Sequence, residues 1–328
     1  MWCGGTSGNS LIGLGLPLQS LNRSRTGATL SIQQCDGGVC ESQRIPSSQP
    51  TLEIRNEDEY APIRRTYLPV DYLRDAALHN VVGTVHVEAE CDRSQQVAET
   101  LWLESMHESY GMPSAIVAHA WVDTPTAEEI LAQQASRPLV RGIRTKPAIS
   151  QGPGTKLASD GRSLHDPKWR RGLELLPKYG LSWDLRVPYW HLAESAAVIA
   201  DLPKFPIALN HTGLPLDRTP EGLSIWRHGM ELLAKHLQVH CKISALRVPG
   251  QAWTYESNKP VIDDAISIFG TGRCMFASNF PVDALLGSWD YIFSSYKRAI
   301  AHRDSGERAA LLAGNAARFY RLTEIVPP

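Results

Sequence analysis

Several side chains able to bind, polarise or move protons stand at the ends of apolar runs in this sequence. His211 closes Ala-Leu-Asn-His and precedes Thr-Gly-Leu-Pro, a turn that fixes its place. A neutral imidazole binds a metal or takes a proton near neutrality. Arg144 and Lys146, in Arg-Gly-Ile-Arg-Thr-Lys, form a cationic pair suited to holding a carboxylate or polarising a carbonyl. His86, Glu88 and Glu90 end one run and His119 another; Asp184 with Arg186, Lys242 with Ser244, and Ser278 with Asn279 end three more. Asp283 follows Asn279 by four residues, and His165 and His191 lie in intervening loops.

These groups need a frame. Beyond residue 50, short β-rich runs alternate with longer amphipathic stretches, the rhythm of repeated βα units on a parallel sheet. The strands are expected at 81–88, 114–121, 139–146, 181–187, 206–211, 239–245 and 274–279. Most are apolar and turn polar at their carboxyl ends, as strands buried on both faces do. Helices are expected at 94–110, 166–179, 219–237 and 263–269. Asp166-Pro and Thr219-Pro-Glu open two of them, and Gly180 and Gly270 follow two. Seven units fall one short of a closed (β/α)8 TIM barrel, so the first strand is atypical or missing. Thr29–Gln33 and Thr51–Ile54 are its candidates.

In a parallel barrel the functional face is the one reached by the strands' carboxyl ends, where all these polar residues gather. Residues two apart on a strand share a face: His86 with Glu88, Arg144 with Lys146, Asp184 with Arg186, Lys242 with Ser244. Charges facing a barrel interior are costly unless paired or solvated, so they define either a polar pocket or a structural network. For His119 the alternative is a satisfied core histidine.

The 328 residues suit one large α/β barrel over 51–328, after an atypical or poorly ordered segment 1–50 rich in Gly, Ser, Thr and Gln. With 33 basic and 34 acidic residues, net charge is −1, and no cationic excess exists for nucleic acid. No apolar run approaches the roughly 20 residues of a membrane span. Six scattered cysteines lack metal-site spacing and fit idle thiols of a reducing compartment, hence a cytoplasmic protein. Cys35 and Cys40 would pair only in an exported protein. Residues 1–35 contain arginines and serines but no acid, a composition shared with transit peptides.

Ordered motifs carry a resemblance. Ala61-Pro-Ile-Arg-Arg-Thr-Tyr-Leu-Pro69 and Gly83-Thr-Val-His-Val-Glu-Ala89 come first. Val140-Arg-Gly-Ile-Arg144, Leu209-Asn-His-Thr-Gly213 and Met275-Phe-Ala-Ser-Asn-Phe-Pro-Val-Asp283 follow, and Gly314-Asn-Ala-Ala-Arg-Phe-Tyr-Arg321 closes the set. From about residue 60 to 323 the chain resembles amidohydrolase-related, metal-dependent hydrolases of the sugar-lactonase and 2-pyrone-4,6-dicarboxylate-lactonase type. The resemblance implies a barrel that hydrolyses lactones or related esters of small sugar-derived or carboxylated molecules. In some branches it implies non-oxidative decarboxylation of aromatic acids. It makes His211 a metal ligand or catalytic histidine and Arg144 a substrate contact.

Two departures alter that picture. The family opens with Asp-x-His-x-His, whose histidines face one metal; this chain contains no His-x-His, and its first histidine is His79. The last strand usually ends in aspartate, and here it carries Asn279. A divalent metal such as zinc would have His211 as its one matching ligand, where catalytic zinc usually takes three. The expected site is therefore His211, Asn279 and Asp283 for catalysis, with Arg144, Lys146, His86, Glu88, His119 and Arg186 binding a small-molecule substrate. Without metal, Arg144 and Lys146 would polarise the carbonyl, His211 would assist, and Asp283 would activate water. The rival reading is a catalytically degenerate barrel that binds a ligand without turnover.

Overall fold

The computed structural model describes residues 29–34, 61–63, 65–90, 92–157 and 161–322. Eight parallel strands follow in sequence order: β1 (Thr29–Gln34), β2 (Val81–Val87), β3 (Ala115–His119), β4 (Val140–Arg144), β5 (Ser182–Leu185), β6 (Ile207–Leu209), β7 (Val239–Ile243) and β8 (Cys274–Phe276). Helices α1 (Pro69–Asp75), α2 (Gln96–Tyr110), α3 (Ala127–Ala135), α4 (Pro167–Glu174), α5 (Leu192–Asp201), α6 (Pro220–Ala234), α7 (Tyr255–Phe269) and α8 (Trp289–Ala299) surround them. Two short helices, α9 (Ser305–Ala309) and α10 (Asn315–Phe319), end the described chain, joined by a π-helical turn at Ala310–Gly314. This is the (β/α)8 TIM-barrel architecture.

Of the two candidates for the first strand, Thr29–Gln33 is in the sheet: β1 pairs with β2, with Gln33 opposite His86. Thr51–Ile54 lies outside the described residues. The first strand is atypical in chemistry, since Thr-Leu-Ser-Ile-Gln-Gln carries neither histidine nor acid. The turn Ala310–Gly314 packs against both β1 and β8, at the two ends of the strand order.

Alternation sorts the strand side chains into two layers. Ile116, Ile143, Trp183, Leu185, Leu209, Cys241 and Phe276 join the apolar faces of the helices in the large core. Val85, Val87, Ala115, Val117, Ala208, Met275 and Ala277 form a second, interior cluster with Ala313, Ala316, Phe319 and Tyr320. Most of these strand residues are alanine or valine, and the carboxyl-terminal segment packs against them. Phe319 stacks edge-on against His240, near the start of β7, at 4.9 Å between centroids. The barrel is thus floored from its amino-terminal end.

Helix–strand contact is close at Gly172 of α4, where an added Cβ would lie 2.1 Å from the Val122 carbonyl oxygen. A backbone oxygen cannot move aside cheaply. Gly172→Ala should cost about 1–3 kcal/mol, the usual range for overpacking, as a lower urea midpoint with unchanged slope.

Among the described residues no helix is long and apolar enough to cross a membrane. Of the cysteines, Cys241 and Cys274 are described; both are buried thiols, opposite one another on β7 and β8. The rest, Cys35 and Cys40 included, lie outside the described residues.

Candidate active site

At the carboxyl ends of β6, β7 and β8 the backbone leaves the strands through left-handed residues. His211 (φ 56°), Thr212 (φ 56°), Gly213 (φ 67°) and Leu214 (φ 48°) follow β6; Ala245 (φ 50°) follows β7 and Asn279 (φ 52°) follows β8. Each non-glycine residue there costs on the order of 1–3 kcal/mol and persists only where its surroundings over-determine it. The restraints are visible. Trp226 of α6 donates its indole N–H to the Thr212 carbonyl at 2.8 Å. Leu192 of α5 occupies the space a Cβ on Gly213 would need, 2.8 Å away. The Thr212 hydroxyl donates to the Lys242 carbonyl at 3.4 Å.

Between these strand ends lies a small recess, with room for about one water molecule, that has Val87 and Ala277 as apolar walls. Its polar lining is Asn210, His211, Lys242, Ser244 and Asn279, all nearly inaccessible. Ser244 Oγ stands 3.0 Å from His211 Nδ1 and sets the ring's orientation. Asn279 donates from Nδ2 to Asp283 Oδ1 at 2.6 Å, while its Oδ1 has no partner among the described residues. Asp283 is buried but does not line the recess; it is joined to it through Asn279. Asp184 of β5 forms an ion pair with Lys242 and accepts from the Tyr320 hydroxyl at 3.1 Å and Asn210 Nδ2 at 3.4 Å. Burial pushes the Lys242 ammonium below its ordinary range, and the Asp184 carboxylate pulls it part of the way back. Burial and the Asp184 charge drive the Tyr320 phenol up.

A second polar group occupies the ends of β2, β3 and β4. Arg144 is fully buried and donates from Nε to Glu88 Oε1 at 2.5 Å and from Nη2 to the Glu88 carbonyl. Lys146 pairs with Glu90. Burial pushes the Glu88 carboxyl up, but the charges of Arg144, His119 and Lys146 outweigh it and hold the group below the usual carboxylate value. His119 packs edge-on against Trp121 at 4.6 Å. Arg186, just past β5, is buried.

The structure therefore brings His211 and Asn279 together, with Asp283 one contact behind. Arg144, Lys146, Glu88 and His119 form a neighbouring charge network, within electrostatic reach of Lys242 through Arg144. His86 is not part of either group: its Nε2 stands 3.5 Å from Glu99 of α2, on the helix side of β2. His191 and His165 share Glu194, at 2.5 and 3.0 Å, and Ser150 N–H donates to His191 Nε2 at 3.0 Å. They fasten the loops after β4 and β5. Lys242 and Ser244 carried a strand-end signal in the sequence. Asn210 had only its place beside His211, and nothing about Tyr320 in its motif indicated that it enters the barrel.

Zinc does not fit these residues. Among the described residues no three His, Cys, Asp or Glu side chains gather closely enough to hold a metal ion. The polar neighbours of His211 in the recess are two amides, an ammonium and a hydroxyl, and the β1 sequence contains no histidine or acid.

A family model described as Amidohydrolase matches residues 49–322, and the chain belongs to that family. It is 37% identical over 264 residues to the protein y4mH of Sinorhizobium fredii, covering 80% of this chain and 89% of that one. It is 26% identical over 298 residues to an L-fucono-1,5-lactonase of Burkholderia ambifaria, covering 85% and 96%. A crystal structure of an amidohydrolase from Burkholderia multivorans with bound zinc superposes with a TM-score of 0.74 at 23% identity, covering 90% of this chain and 99% of that one.

Proposed function

We propose that this chain is a hydrolase that opens a lactone of a small sugar-derived or carboxylated molecule by attack of water. The observation that supports it most is the recess itself, with His211 held in a costly backbone conformation between Ser244, Lys242 and Asn279. Membership of the amidohydrolase family and the likeness to an L-fucono-1,5-lactonase support the same class. In this reading water adds to the lactone carbonyl carbon and His211 accepts the proton it loses. Asn279 Oδ1 accepts a hydrogen bond from the water, and Asp283 fixes the amide so that its oxygen faces the recess. The ring C–O bond then breaks, His211 returns the proton to the ring oxygen, and a hydroxy acid leaves.

The test is hydrolysis of a panel of sugar and pyrone lactones followed with a pH-sensitive dye, alongside metal analysis of the same sample. Turnover is expected, and it should survive prolonged treatment with a chelator, because the recess lacks a three-ligand set. Loss of turnover on chelation and recovery on adding zinc would sink the metal-free version. A folded sample that turns over no lactone would sink the hydrolase reading. It would favour a barrel that binds without catalysis, for which the lack of a carboxylate lining the recess speaks.

A further inference from the structure

The proposed reaction leaves one feature of the recess without a role. Lys242 lines it, is 2% exposed, and points into the barrel from β7. A buried ion pair is poor evidence of a stability role, since well-packed apolar residues of similar volume often do as well or better. Here the partner carboxylate is held unusually firmly. Asp184 accepts from Lys242, from the Tyr320 hydroxyl at 3.1 Å and from Asn210 at 3.4 Å. The Tyr320 ring also lies 5.3 Å from the Lys242 ammonium. Asp184 is meanwhile the one side-chain acceptor of Lys242 among the described residues, although an ammonium carries three donors. The arrangement fixes a cation at the base of the recess and leaves it donors to offer.

We propose that Lys242 is a catalytic group of this recess, its ammonium stabilising the oxyanion formed when water adds to the lactone carbonyl. Asp184 and Tyr320 are positioning residues that hold it there. This rests on the hydrolase reading above and adds a role for the carboxyl-terminal segment. Tyr320, which floors the barrel, reaches the reaction through Asp184 and Lys242. The ammonium donates hydrogen bonds throughout and transfers no proton, so the balance of the reaction is unchanged.

The test compares Lys242→Met and Tyr320→Phe with the native chain and with Lys235→Met, an exposed control. It uses the best lactone of the panel and, separately, calorimetric binding of the aldonate formed on ring opening. An oxyanion exists only in the transition state, so Lys242→Met should lower kcat about 100-fold with little change in KM. Tyr320→Phe, which deletes one oxygen, should lower kcat about 5-fold to 10-fold with its melting transition retained. Lys242→Ala should regain part of its activity when ethylammonium is supplied. Aldonate binding should weaken at least roughly 10-fold in Lys242→Met, since a charged partner is lost.

Lactone turnover that is within twofold of native in both Lys242→Met and Tyr320→Phe overturns the inference and leaves the hydrolase reading standing. If Lys242→Met does not fold, Tyr320→Phe and ethylammonium rescue of Lys242→Ala decide. If the native chain hydrolyses no lactone yet binds aldonate in a Lys242-dependent way, the hydrolase reading fails and Lys242 survives as an anion seat. No turnover and no such binding overturns both.

Discussion

His211→Ala is expected to lower lactone turnover by about 10³-fold, within the 10² to 10⁴ that positioned proton transfer contributes. The loss should fall on kcat and kcat/KM alike, because the imidazole acts on a proton that moves only during reaction. The backbone supplies a second readout. At φ 56° His211 sits where side-chain-bearing residues are strained, and alanine inherits that strain. His211→Gly should therefore be as inactive as His211→Ala but more stable than it by about 1 kcal/mol. That ordering is the signature of strain kept for function rather than for folding. Equal stability of the two variants would show that the left-handed turn is not strained. Turnover within tenfold of native in both would remove His211 from the mechanism.

The frame of this site was readable because parallel barrel strands are apolar on both sides. All seven expected strands after residue 80 are present, each shorter at its carboxyl end than the apolar run suggested. The reason is that polar residues there belong to the turns. Asn210 and His211 have already left β6, and Asn279 lies three residues beyond β8. Helix α7 begins at Tyr255 rather than near 263, because Pro260 in its second turn disguises the start. Helices α1, α3, α5 and α8 are additional to the expected set, although Pro69 opens α1 and Ser288 caps α8. The expected helix at 166–179 splits, with a 3-10 turn at Leu176–Tyr179 in place of its last turn.

The site was legible in part, since strand periodicity says which residues share a face but not which strand they meet. His86 and Glu88 share parity, yet Glu88 stands just past the end of β2 and bonds Arg144, while His86 meets Glu99 on the helix side. Tyr320 illustrates the opposite failure. Its entry into the barrel depends on how the chain returns after β8, which no local pattern encodes.

The Glu88–Arg144 pair should dominate stability among the polar residues. Both side chains are essentially inaccessible, and Arg144 spends Nε on the Glu88 carboxylate and Nη2 on its carbonyl. Breaking a buried pair from one side leaves an uncompensated charge, which typically costs about 3–5 kcal/mol. Glu88→Gln should therefore lower stability by about that amount, with most of the loss coming from the stranded guanidinium. Replacing both partners, as Glu88→Gln with Arg144→Met, should be less destabilising than the sum of the single changes by at least about 1 kcal/mol. The pair also has a pH signature. The folded carboxyl of Glu88 titrates below its unfolded value, held down by Arg144 against the effect of burial. Its contribution is thus present in full above the unfolded carboxylate range and is lost as pH falls through the folded pKa. Native protein should lose stability on acidification more steeply than Glu88→Gln, so the difference in urea midpoint between them should shrink toward low pH. A constant difference from neutral to acid pH would mean that the Glu88 carboxyl titrates alike in the folded and unfolded chains, and that the Arg144 charge does not hold it down.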